Sequence, residues 1–399
     1  MTEETHRATA FEIFFDLVLI FALTRVTSFI AASPSFLRLL QGLLLLLLLW
    51  WSWSAYTWLA NQARADRGVI RAGGLVAMAA IFVAAMVMPD AWQTEGAMVD
   101  APVTLALAYV VVRVVYLALY LYLYMAIDDR RLRTQLLLSA IPQSLAWIAL
   151  ILGALLGPTG QTVLWAVALV IDFGGGRLAS ALSGWTLRSP SHFAERHSLV
   201  LIIALGESLI SIGAGAGTAV TSRPVLVAAL LGLTSSVCLW WLYFENVAPA
   251  AGRALARAPT ERRPEIAREA YTLVHLPLVT GVIYLAFGIE EALAAAAGAP
   301  PRYVPGAPLS WPAATAMYGG VALYLAGRAA FLRLTVGSAT PAQLVAAAAA
   351  LALLPAVRSV PALAALGLIT VLLVGLVALE WLTRERAEPA GPAAPAAPA

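Results

Sequence analysis

Apolar residues along this chain come in long unbroken runs, not in the alternation of a strand or the one-sided stripe of a soluble helix. Runs long enough to span a bilayer fall at about 11–31, 36–59, 69–88, 102–125, 134–156 and 161–183, and six more at about 195–214, 224–244, 271–291, 313–332, 340–357 and 361–382. A hydrocarbon layer of ~30 Å takes about 20 helical residues, so the pattern predicts an all-α polytopic membrane bundle of about 12 transmembrane helices. The sixth and eleventh runs are the weakest, being rich in Gly or Ala or interrupted by charge. The longest polar connection, 245–270, holds five arginines and three prolines and reads as a solvated loop drawn to anionic headgroups. The Ala/Pro-rich stretch 385–399 reads as a disordered tail.

Composition agrees with the pattern. The chain is 61% hydrophobic and 12% charged, against about 25% charged in soluble domains. Its net charge of +3 is small and its basic residues sit in short loops, so nucleic acid is not an expected partner. The lipid bilayer is, with a proton and a small-molecule substrate behind it. All 25 basic residues are arginine. Without lysine no Schiff base can form, which excludes a retinal-type photoreceptor and a pyridoxal enzyme, and no cofactor is implied. Cys238 is the single cysteine, so no intrachain disulfide is expected. Histidines 6, 192, 197 and 275 show no metal-ligand spacing. The first run carries Glu12 and Asp16, which a cleaved signal segment would not. Seventeen of the 25 arginines fall on one side of the twelve runs and four on the other, which predicts that both termini are cytoplasmic. Trp50, Trp51, Trp53 and Trp58, like Trp240 and Trp241, then lie at cytoplasmic span ends, where an interfacial aromatic belt accounts for them.

An internal repeat is visible. L-V-L-I-F-A-L at Leu17–Leu23 returns as L-V-L-I-I-A-L at Leu199–Leu205, and paired tryptophans end the next run in each half. Tyr109, Arg113 and Tyr116 in the fourth run match Tyr324, Arg328 and Phe331 in the tenth. The expected organisation is therefore two parallel six-helix repeats, residues 1–190 and 191–384, related by an axis along the membrane normal.

Ionisable residues inside apolar runs are expensive and are candidates for function. Glu12 and Asp16 share one helical face, as a relay at the mouth of a pathway or as an acidic pair favoured at a helix N-terminus. Tyr109, Arg113, Tyr116, Tyr120 and Tyr124 form one stripe, either core or the wall of a polar cavity for an anionic or aromatic ligand. In the sixth run Asp172 and Phe173 precede three glycines and Arg177. The glycine run predicts a broken helix lining a cavity, with a neutralising Asp172–Arg177 pair as the alternative. Glu207 lies deep in the seventh run. Aligning the repeats sets Arg25 against it, so an Arg25–Glu207 pair is expected, with Arg113 an equally plausible partner.

Two segments carry a family resemblance: F-E-I-F-F-D-L-V-L-I-F-A-L-T (Phe11–Thr24) and H-F-A-E-R-H-S-L-V-L-I-I-A-L-G-E-S (His192–Ser208). Together with the W-W-x-W pattern at Trp50–Trp53 they resemble the bacterial low temperature requirement protein A family, over about residues 6–384. In that family a glycine usually stands where this chain has Ser198. The resemblance implies a multi-pass bacterial inner-membrane protein linked to growth in the cold, with no established activity. Phe14, Phe15, Asp16, His192, Glu195, Arg196, His197, Gly206, Glu207 and Ser208 carry over as motif residues only. The functional expectation is a proton-coupled secondary transporter, not an enzyme. Glu207 and Asp172 would move the proton, with Glu12, Asp16, Arg25, Arg113, Tyr116 and Arg328 at the coupling or substrate site. The alternative is a non-transporting scaffold or sensor for envelope adaptation.

Overall fold

The computed structural model describes residues 7–93, 99–127, 130–183, 186–298, 304 and 306–385. The expected tail lies, after its first residue, outside them. Twelve long helices match the twelve apolar runs: α1 (Ala10–Ala32), α2 (Phe36–Gln62), α3 (Gly68–Val87), α4 (Ala101–Ile127), α5 (Arg130–Leu155), α6 (Gly157–Ser183), α7 (Pro190–Ala216), α8 (Arg223–Phe244), α11 (His275–Ala297), α12 (Trp311–Thr335), α13 (Pro341–Val357) and α14 (Ala362–Glu385). Two short helices, α9 (Val247–Arg257) and α10 (Arg263–Ile266), and a π-helical turn at Ala267–Leu273 lead into α11. No strand occurs among the described residues.

Ten of the helical segments are long and apolar enough to cross a membrane, which makes this a multi-pass membrane protein. The two others are α12 and α13. Glycines, tyrosines and Arg328 dilute α12, which is tolerable because Tyr318, Tyr324 and Arg328 are all buried against neighbouring helices. α13 is only 17 residues long. Large apolar side chains that stay exposed, such as Leu230 and Val371, sit where lipid would cover them.

Local sequence sets the helix starts. Thr9 caps α1 reciprocally with Glu12: its hydroxyl accepts from the Glu12 amide at 3.3 Å, and its own amide donates to Glu12 Oε2 at 2.8 Å. Ser35, Ser189 and Ser310 cap α2, α7 and α12 in the same sense. The bundle is deepest around α11, which packs on α7, α8 and α12. Small residues allow the approach: a Cβ on Gly281 would lie 2.5 Å from the Gly320 carbonyl oxygen.

Three expectations fail here. The glycine run does not break α6, which is continuous through residues 173–177. A Cβ on Gly175 would overlap Pro142 of α5, and one on Gly176 would sit 2.6 Å from the Trp51 ring, so these glycines serve contact. The 245–270 connection is largely helical: Val247, Ala251 and Leu255 are buried at four-residue spacing while Arg253 and Arg257 face outward. The first tryptophan cluster is no interfacial belt either, since Trp50, Trp53 and Trp58 are buried in the interior. Trp240 and Trp241 remain 37% exposed, as a belt requires.

Candidate functional site

The residues singled out above fall into four places. At one end of the α1–α7 seam the two sequence motifs meet. Glu12 Oε1 lies 2.7 Å from His192 Nε2. Asp16 accepts from Arg196 Nη1 at 2.9 Å and from the Trp53 indole at 2.8 Å. All four groups are buried, and each acid meets a partner across the seam. Glu195 accepts from the Ala8 amide at 3.0 Å, tying the chain before α1 to α7. Phe15 stacks on Tyr56 inside, whereas Phe14 is 55% exposed on the outer face. His197 Nδ1 donates to the Phe193 carbonyl of its own turn at 2.9 Å. Its Nε2 is buried without a partner among the rings of Trp50, Trp53, Tyr271 and His275.

Farther along the same seam sits Glu207, 1% exposed. The expected Arg25–Glu207 ion pair does not form. Glu207 Oε2 is 2.5 Å from the Thr24 hydroxyl, and Oε1 has only a long contact of 3.5 Å from Ser211. Arg25, one residue on, points elsewhere, with its guanidinium 6.0 Å from the Phe21 ring. Adjacent positions on a helix are about 100° apart, so Thr24 and Arg25 cannot both face α7. Arg113 is not the partner either. Gly206 meets no neighbour that would exclude a side chain, and the buried Ser208 hydroxyl is unpartnered.

Arg113 and Asp172 form the third place. Asp172 accepts from Arg113 Nη2 at 3.0 Å and from the Tyr109 hydroxyl at 2.7 Å. This pairing replaces the Asp172–Arg177 alternative. Arg177 instead reaches Glu269 at 2.8 Å, an acid shared with Arg268 at 3.0 Å. The Arg113 guanidinium carbon is 5.2 Å from the Tyr116 ring. The pair lies on the wall of a cavity open to solvent, whose empty space, open solvent included, is about 610 Å³. The cavity is bounded by the C-terminal parts of α2 and α6, the start of α5, the middle of α4 and the π-helical turn. π-turns recur at functional sites. Here Thr272 joins that turn to the tryptophan cluster, its carbonyl accepting from Trp50 at 2.9 Å and its hydroxyl from Trp58 at 3.0 Å.

The fourth place is Arg328. It makes a two-pronged pair with Glu380, both contacts 2.7 Å, and donates Nε to the Leu242 carbonyl at 2.6 Å. Sequence reasoning missed Glu380, Gln143, Glu269 and Trp53. Gln143 and Glu380 had a signal, since each is a polar residue within an apolar run. Outside the spans, the Arg64 hydrogen bonds hold the Asp66 carboxyl below the usual carboxylate range.

Residues 7–378 match the model of the family described as bacterial low temperature requirement A protein. An uncharacterized protein of Rhizobium meliloti (strain 1021) is 28% identical over 303 residues, covering 73% of this chain and 71% of that protein. No solved structure matches.

Proposed function

The chain belongs to the bacterial low temperature requirement A family, and from that premise we propose that it is a proton-coupled secondary transporter of the bacterial inner membrane. A small solute binds in the cavity beside Arg113 and Asp172. Both termini are cytoplasmic, so the cavity faces inward. The observation that carries this reading is the cavity itself, walled by a buried ion pair in a membrane bundle. An intramembrane ion pair that borders open space is the usual mark of a substrate or ion pathway.

Glu207 supplies the proton step. The Thr24 hydroxyl lies 2.5 Å from Glu207 and 3.2 Å from the Ile20 carbonyl, and it has one hydrogen to give. With a carboxylate, Thr24 donates to Glu207. With a carboxylic acid, Glu207 donates to Thr24, and Thr24 donates to Ile20. Both protonation states keep their hydrogen bonds, a useful property in a coupling acid. The two-repeat organisation belongs to the same proposal. It is supported by like pairings in the two halves: the fourth helix gives an arginine and the sixth an acid, as Arg113–Asp172 and as Arg328–Glu380.

A scaffold or sensor role is the second reading, favoured by the Arg328–Glu380 and Asp16–Arg196 pairs, whose carboxylates are matched within the bundle. Proteoliposomes loaded with a pH dye and challenged with small organic acids separate the two. Transport predicts solute-dependent proton movement that Glu207→Gln abolishes while membrane abundance stays normal. The same variant should fail to restore cold growth in a deletion strain. Proton movement no faster than in empty liposomes across the panel would favour the scaffold.

A further inference from the structure

The cavity walls specify more than a solute site. Asp172 is already matched, one oxygen by Arg113 and the other by Tyr109, and asks nothing of a ligand. Three other groups on the wall have unmet capacity. The Nε of Arg113 and the indole Nε1 of Trp51 are buried donors without acceptors, and Gln143 Oε1 is a buried acceptor without a donor. Arg113 and Gln143 are each only 3% exposed, so bulk water does not serve them freely. Arg177 and Arg268 stand at the rim and share the single acid Glu269. Counting Arg113, Asp172, Arg177, Arg268 and Glu269, the site keeps one positive charge. Four aromatic rings form part of the remaining wall. Trp51 stacks on Phe173 with ring centres 4.1 Å apart at 22°, an approach that Gly176 permits, and Trp58 and Tyr116 flank them.

We propose that this cavity binds a small aryl monocarboxylate, its carboxylate taken by Arg113 and Trp51, its ring by the aromatic walls, and a ring hydroxyl by Gln143. This inference rests on reading the cavity as the solute site. The net charge selects a monoanion, the paired indole and phenyl rings select a planar body, and the idle Gln143 oxygen selects a ligand that carries a donor.

Calorimetry on the full chain in nanodiscs tests it, with the ligand varied before the protein. Benzoate is expected to bind with Kd of ~0.1–1 mM, and 4-hydroxybenzoate more tightly. Benzamide, which keeps the ring and loses the charge, should bind at least about tenfold more weakly, as expected for a lost hydrogen bond to a charged group. Cyclohexanecarboxylate, which keeps the charge and loses the flat ring, should also be weaker. In Gln143→Leu the advantage of the hydroxyl should vanish. The charge-neutral double variant Arg113→Gln with Asp172→Asn should lose benzoate. If that variant does not fold, the ligand series decides alone. Benzamide binding as well as benzoate, or no benzoate binding at ~10 mM, would overturn the inference. So would displacement of benzoate by inorganic phosphate at equal concentration, which would assign the site to phosphate. Proton-coupled flux of a non-aromatic solute without benzoate binding sinks this inference and leaves the transport reading standing. Benzoate binding without any flux does the reverse.

Discussion

Arg113 of α4 and Arg328 of α12 are buried arginines, and they are treated differently. In Arg328 every nitrogen is engaged, Nη1 and Nη2 with Glu380 and Nε with the Leu242 carbonyl. Arg113 gives one hydrogen bond to Asp172, shares that acid with Tyr109, and keeps an idle Nε at the edge of a cavity. A buried arginine with all its contacts met holds helices together. One with capacity left over, beside open space, is built to hold something else. The contrast teaches that an intramembrane charge does not by itself mark a site; what its partners leave unmet does.

The largest effects should come from the saturated pair. Arg328→Gln strands the half-buried Glu380 and takes the donor from the Leu242 carbonyl, and should cost ~3–5 kcal/mol, read as loss of monodisperse protein by size exclusion. Arg113→Gln should cost visibly less, because it removes one hydrogen bond from Asp172, which keeps the Tyr109 hydroxyl, where Arg328→Gln removes three. Equal losses would erase the distinction between the two places. Next comes the wall of the open site. Gly175→Ala forces a methyl into Pro142 and should lower stability by ~1–3 kcal/mol. Gly174→Ala, one residue away, meets nothing within 4 Å and should be neutral or slightly stabilising in a thermal melt. A similar gain at both positions would mean that helix propensity, and not contact, governs α6. The smallest effect belongs to the half-buried Arg64–Asp66 pair. Asp66→Asn should change stability by less than ~1 kcal/mol. Because Arg64 holds Asp66 below its usual range, that contribution is present at neutral pH and fades as pH falls through the carboxylate range. A melt series from pH 7 to pH 3 checks the sign.

Much of the fold was legible, because twelve apolar runs become twelve helices for one reason: backbone groups in lipid must be satisfied within the segment. The motif residues were legible as expensive, and the structure gathers Glu12, Asp16, His192 and Arg196 at one seam. Partners were not legible. Equal depth suggested Arg25 for Glu207, but depth ignores the helical angle, and angle places Thr24 there instead. Glu380, near a span end, drew no notice, yet it neutralises Arg328. The tryptophans passed for a belt because composition cannot tell an interface from a core, and only the Asp16 and Thr272 hydrogen bonds separate them. The glycines of α6 suggested a break because a lone helix with three glycines is weak, but a packed one gains the contact they allow. Nothing in A-R-E-A-Y-T-L announces a π-turn.

The most direct test of the account is whether water reaches Arg113 and not Arg328. In a Cys238→Ala background, single cysteines are placed on the cavity wall at Ser54 and Ser139, and beside Arg328 at Ala322 and Ala329. A membrane-impermeant maleimide is then added to inside-out and right-side-out vesicles. The account predicts that the cavity positions label from the cytoplasmic face, with benzoate slowing the reaction, and that the Arg328 positions stay unlabelled from both faces. Labelling at Ala322 or Ala329 as fast as at Ser139, or no labelling at Ser54 and Ser139 from either face, would contradict it.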